Sequence, residues 1–274
     1  SQFQAGEIIG IFLKEHLTTG QTKVTDYSNP ITGTVNSTTQ TKIDLSPTQY
    51  FPSNGRSVDC LAIYPKEFNS TDINNSTRSF SVEEDQSTDA KYKASDLMYA
   101  YKENTTKGNP IQLTFTHLLS KIIVEVVADG SVNQNVLNHV YVDLLTTNKT
   151  IDISVPDIAQ GSESSTKTVT VGSTTSEPTI IKLGHPSYTS GNQTGEVAAI
   201  IVPQTINSST QFIQVRLNDG STDYATYTYA PSSNVTFEGS KSYKYTITIK
   251  AGSISVSNVT INNWDDKTTD LPDN

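Results

Sequence analysis

Four histidines, one cysteine and one dense run of acids are the side chains from which this chain could assemble a reaction centre. His16, His117, His139 and His185 fall on different elements, and no two stand at the spacing that presents paired imidazoles to a metal. No glycine-rich phosphate loop, nucleophile elbow or cysteine pair accompanies them. His117 closes an apolar strand and reads as an imidazole held by structural partners. Glu83-Glu84-Asp85 with Asp89 lacks the glycine-marked turn that gathers oxygen ligands round calcium, so it reads as a solvated loop. Any two of the 28 acids could be chosen as a sugar-cleaving pair, so the choice carries no information. Cys60, in Val58-Asp59-Cys60-Leu61-Ala62-Ile63, faces the same side as Val58 and Ala62 and reads as a small buried hydrophobe with no disulfide partner. The expectation is a chain without catalytic residues, metal or cofactor.

Composition narrows the partners. A net charge of −9 and a pI near 4.9 deny the chain the cationic footprint that nucleic acid requires, and give no attraction to anionic lipid. Arg56, Arg78 and Arg216 stand apart from one another. No apolar run is long enough to cross a bilayer. The chain starts at Ser1 with Met98 as its only methionine, which reads as a processed product whose export signal or lipid anchor lay upstream. Charged residues make up only 17%, and Ser, Thr and Asn fill the polar surface, a mixture that suits exposed sheet faces and disfavours helices.

The elements that must position these groups alternate apolar and polar residues. Strands are predicted at Ile8–Leu13, Val58–Tyr64, Ile111–Phe115, Lys121–Val127, Val140–Leu144, Thr166–Val171 and Thr179–Leu183. Others follow at Val197–Val202, Phe212–Leu217, Tyr224–Tyr229, Tyr243–Ile249 and Ser253–Ile261, separated by turns such as Asn54-Gly55 and Ala251-Gly252. This predicts packed antiparallel sheets, with a boundary at the turn 128–135 dividing the chain into residues 1–128 and 129–274. Loops are expected at Thr32–Thr41, Asn69–Thr77, Asn104–Asn109 and Gly161–Ser165, and the only helical stretch at Ala94–Tyr101. In the last hairpin Tyr243, Tyr245, Ile247 and Ile249 share a face, and Ile254 and Val256 return in phase. The phase then slips to Val259 and Ile261, so a bulge is predicted near Ser257–Asn258. A strand that switches sheets is the alternative.

Four segments together resemble the fimbrillin-like family of bacterial surface subunits. They are Phe3-Gln-Ala-Gly-Glu-Ile-Ile-Gly-Ile-Phe, with Glu7 where the family more often has Asp; Val58–Pro65; Asp85-Gln86-Ser87 with Ser95–Ala100 and Leu113–Lys121; and Ile201-Val202-Pro203-Gln204 with Val259–Trp264. The resemblance implies two tandem transthyretin-like antiparallel β-sandwich domains, export as a lipoprotein precursor, and a place at the cell surface in a fimbria. It implies other fimbrillin subunits as partners, a host protein or glycan as a further one, and membrane contact only through the precursor's lipid anchor. It further implies assembly by strand donation after a leading strand upstream of Phe3 is removed. On that reading Ile8, Ile9, Ile11 and Phe12 line the vacated groove, an unpaired edge with an apolar trough. Ile254, Val256, Val259, Ile261 and Trp264 mark a donating or terminal strand. The segment Asp265–Asn274 reads as polar, without β alternation, and a poor donor, which points to a tip or minor subunit. A carbohydrate-binding surface module is the alternative, with Tyr224, Tyr227 and Tyr229 as its stacking platform.

Overall fold

The computed structural model describes residues 3–39, 41–65, 77–131, 138–154, 168–188, 194–218, 223–250 and 252–271. The first strands are β1 (Ile8–Glu15), β2 (Ile31–Val35), β3 (Ile43–Ser46), β4 (Val58–Tyr64) and β5 (Thr77–Ser81). After the helix α1 (Asp89–Ala94) come β6 (Met98–Thr105), β7 (Ile111–His117), β8 (Ser120–Ala128), β9 (Val140–Thr147), β10 (Thr150–Ser154) and β11 (Thr170–Thr174). There follow β12 (Thr179–Gly184), β13 (Ser187–Tyr188), β14 (Thr194–Ile201), β15 (Gln204–Ile206) and β16 (Ile213–Asn218). The last are β17 (Asp223–Tyr229), β18 (Val235–Phe237), β19 (Lys241–Lys250), β20 (Ser253–Asn263) and β21 (Lys267–Leu271). The protein is all-β, built of several largely antiparallel sheets.

Seven strands form the first sheet, in the order β21-β7-β6-β4-β1-β2-β3. It curls until its ends meet, where Asp270 bridges to Lys42 just ahead of β3. Ile9, Ile11, Leu13, Ile31, Val35, Cys60, Leu113 and Phe115 fill its interior. Strand β4 is buried at every position because it runs between β1 and β6 with both faces covered. Val58, Cys60, Ala62 and Tyr64 enter the interior, whereas Leu61 and Ile63 join Phe12 in a second core. That core lies between a five-stranded sheet, β13-β14-β8-β19-β20, and a four-stranded one, β12-β9-β16-β17. Alternation sets the packing: β8 buries Ser120, Ile122, Val124, Val126 and Ala128 while the residues between face outward. Strands β8 and β19 pair in parallel, with Lys121 beside Ser242. The end of β8 is where the 128/129 division was expected, and both of its neighbours, β14 and β19, follow that point. Two smaller sheets, β11-β10-β5 and β15-β18, complete the description.

The predicted bulge is present. Ile247 pairs with Val256 and Thr246 with Asn258, leaving Ser257 as the extra residue. Several expectations need correction. The helix is Asp89–Ala94, ahead of the predicted stretch, capped by the Thr88 side chain. Met98–Tyr101 instead opens β6, because Met98 and Ala100 alternate into the interior beside β4. Thr32–Val35 is strand, not loop, with Gly33 and Val35 buried between β1 and β3. Asn104 and Thr105 end β6 before the turn at Gly108, whose φ of 88° suits glycine. Strand β11 begins at Thr170, four residues later than predicted, and 161–165 and 69–76 lie outside the described residues.

Candidate functional site

Strand β7 reads Ile-Gln-Leu-Thr-Phe-Thr-His, and its alternate residues Ile111, Leu113, Phe115 and His117 point inward. One edge of β7 meets β6 at Met98–His117 and Tyr99–Thr116. The other edge carries β21 in antiparallel register from Lys267–Phe115 to Leu271–Ile111. On its far side β21 reaches the start of β3, where the Asp270 N–H donates to the Thr41 carbonyl at 2.9 Å. The strand therefore occupies a slot with a hydrogen-bonding edge on either side. Thr269 and Leu271 point into the interior at 2% and 1% exposure. The Lys267 ammonium lies 4.8 Å from the Phe3 ring centroid, a cation–π contact, and Phe3 in turn meets Phe115 edge-on at 5.0 Å. The expectation that Asp265–Asn274 lacks β structure is thus overturned. Lys267, Thr269 and Leu271 do alternate, although only one of the three is apolar.

A clamp holds the approach to this strand. Trp264 stacks on His117 with centroids 3.7 Å apart and planes 7° from parallel. His117 is fully buried, and both ring nitrogens face oxygens: Nδ1 the Asp96 carboxylate at 2.6 Å, Nε2 the Asp265 carbonyl at 3.1 Å. Lys267 approaches the other Asp96 oxygen at 3.6 Å. The Trp264 N–H donates to the Ser240 carbonyl at 2.9 Å, and the Ser240 hydroxyl donates to the His117 carbonyl. These contacts restrain a strand and activate no nucleophile.

The remaining chemical candidates are dispersed. His16 pairs with Asp59 at 2.7 Å, and His185 meets the Val140 carbonyl at 2.6 Å. In the acidic run, Glu84 binds Lys149 at 2.5 Å and Asp85 binds Lys91 at 2.8 Å, so these carboxylates converge on lysines. Burial first, and the adjacent Asp59 second, push the Cys60 thiol far up from its ordinary value. Among the described residues no group of three His, Cys, Asp or Glu side chains could hold a metal.

The residues expected to line a groove sit together on β1, whose edges are both paired, to β2 and β4. Ile9 and Ile11 face the interior of the first sheet, Phe12 the second core, and Ile8 is 41% exposed. Of the terminal set, Ile254, Val256 and Trp264 pack partly against the second core, whereas Val259 and Ile261 are exposed. Tyr227 and Tyr229 also pack against that core.

The family model for fimbrillin-like proteins matches residues 1–264. The chain belongs to the fimbrillin-like family. Membership makes it a non-enzymatic, fimbrial or adhesin-like surface protein of the Bacteroidetes type. Several solved structures share its fold, two from Bacteroides among them. A candidate cell adhesion protein from Bacteroides uniformis is 22% identical with a TM-score of 0.65, over 96% of this chain and 93% of that one. A second, from Bacteroides ovatus, is 17% identical with a TM-score of 0.66, over 96% and 88%. No curated protein sequence matches. The residues of this fimbrillin-like chain that sequence reasoning missed are Lys267, Thr269 and Leu271, together with Asp96. A three-position alternation with one apolar member is the only signal the three residues of β21 leave in the sequence, whereas Asp96 lies within the segment Ser95–Ala100.

Proposed function

We propose that this fimbrillin-like chain is a structural or adhesive subunit of a cell-surface fimbria, and that copies join by strand donation. The observation that carries the reading is the slot between β7 and the start of β3, which takes a strand only five residues long. Burial of Leu271 contributes about 1.5–3 kcal/mol, and few other apolar groups reinforce it. A strand held so lightly can be replaced by one of the same pattern from a neighbour. Strand β20 is the poorer donor, since it is laddered to β19 along its length. The proposal includes two tandem transthyretin-like sandwich domains, residues 1–128 and 129–274, delivered to the surface by a lipid-anchored precursor. It takes other fimbrillin subunits as partners, with a host protein or glycan as the target of adhesion. The description of both similar structures as candidate cell adhesion proteins supports the adhesive part.

The test is a chain ending at Asp266, titrated with a labelled peptide of residues 265–274. The shortened chain is expected to bind the peptide saturably, and the intact chain to exclude it until β21 opens. A shortened chain that stays folded yet binds no peptide defeats the strand-donation reading.

A further inference from the structure

The second candidate surface lies away from the slot, on β20. This strand is the last in its sheet, and among the described residues no strand pairs with its outer edge. Directly opposed residues of an antiparallel pair share a face. Val259 opposes Tyr245 and Ile261 opposes Tyr243, and both tyrosines are buried, so Val259 and Ile261 lie on the core side of the sheet. They are nevertheless 41% and 59% exposed, whereas Ile254 and Val256 earlier in the strand pack partly against the second core. The bulge at Ser257 makes this arrangement. Without it the one-residue slip would turn both side chains to the outer face, beside Lys244 and its ion pairs with Glu125 and Glu196. The chain thus uses a bulge to hold two large apolar groups on the inner face, where they stay exposed.

The strand also lacks the usual edge guards. From Ser253 to Asn263 it has no charge and no proline, in a chain of net charge −9. Two copies could bring this strand together without opposing like charges. We infer that β20 is an interface for a second copy of this chain, pairing antiparallel about a two-fold axis at Thr260. In that register Val259 opposes Ile261 of the second copy, and Ile261 opposes its Val259. The four side chains then form one apolar patch on the inner face. On the outer face Thr260 opposes Thr260, and Asn258 opposes Asn262, pairs that hydrogen-bond across strands. Asp265 and Asp266 fall opposite residues near the start of the partner strand and so do not meet each other. The pairing is independent of the slot, since it uses neither β7 nor β21.

A single cysteine at the axis tests this directly. Directly opposed residues have Cα atoms about 4.5–5.5 Å apart, within the span a disulfide bridges. Thr260→Cys in the full chain is expected to give a disulfide-linked dimer under mild oxidation, while the buried Cys60 stays out of reaction. Ser253→Cys, far from the axis, is the control and should give no disulfide-linked dimer. Adding Ile261→Lys to the Thr260→Cys chain should cut the yield of linked dimer by about tenfold or more. That change falls on an exposed side chain, so its unfolding midpoint should match that of its parent. Equal linking by the two single-cysteine chains, or linking undiminished by Ile261→Lys, overturns the proposal.

Discussion

Leu271→Ala separates a lightly held strand from an integral one. Leu271 is 1% exposed, opposes Ile111, and borders a recess that Leu13 and Val58 also line. Removing a buried leucine side chain to alanine costs about 2–5 kcal/mol. The site borders a recess at the end of a five-residue strand, where neighbours can close in, so the lower part of that range, about 2–3 kcal/mol, applies. Because β21 is only five residues long and Leu271 is its one apolar side chain, the loss should fall on local opening. Amide hydrogen exchange at Thr268–Leu271 is then expected to quicken by about 30- to 150-fold, since each 1.4 kcal/mol is a factor of ten. Exchange in β8 and β19, and the urea midpoint by circular dichroism, should stay unchanged. If the midpoint falls instead and β21 exchanges no faster than β8, the strand is part of the cooperative core and cannot be vacated cheaply. An unchanged pattern throughout would mean that Leu271 does not hold the strand.

Four further outcomes follow from the geometry. His117→Phe keeps a flat ring against Trp264 but removes the contacts to Asp96 and the Asp265 carbonyl, leaving a buried carboxylate short of a partner. It should lower the unfolding free energy by about 1.5–3 kcal/mol in urea titrations. Burial alone would raise the Glu15 carboxyl, but the N–H groups of Val24 and Thr25, the Asn54 amide and the Arg56 guanidinium outweigh it and hold it below 4.5. A depressed carboxyl stabilises the fold above the unfolded value and loses that stabilisation as pH falls through the folded value. Glu15→Gln should therefore lower urea midpoints at neutral pH, and the gap from the parent chain should narrow as pH drops below about 4.5. Gly239→Ala would set a methyl 2.5 Å from the Leu118 carbonyl oxygen, a backbone atom that cannot swing aside, and should destabilise by about 1–3 kcal/mol in thermal unfolding. Cys60 should resist maleimide in the native protein and react fully in denaturant, as followed by intact mass.

The fold was legible where apolar residues recur every second position over several residues. Strand β4 lies at its predicted bounds, and β8 and β19 match to within two residues at either end, because each buries several large side chains on a face. Even the bulge could be read, since a phase slip inside a strand has few physical causes. Strands β2, β3, β5, β6, β10, β13, β15, β18 and β21 went unread. Phe80 is the only large apolar residue in β5, and Leu271 the only one in β21, so pairing with distant strands decides their conformation. The clamp was half legible. His117 could be read as structurally satisfied, but Asp96 and the Asp265 carbonyl meet it only through tertiary packing. The slot was invisible for the same reason, as it is made by two edges brought together when the sheet curls.

The parallel pairing of β8 with β19 has a consequence for how the chain comes to be folded. Strand β8 is the middle of its sheet, yet one of its two neighbours, Lys241–Lys250, comes much later in the chain. A nascent or partly translocated chain that stops short of Lys250 cannot assemble that sheet, and keeps Ile122, Val124 and Val126 without their native cover. Distant pairings of this kind make folding slow and leave sticky intermediates open to aggregation. For a protein destined for the cell exterior, the same delay is an advantage, because a polypeptide that cannot close prematurely stays threadable until its last strands have crossed.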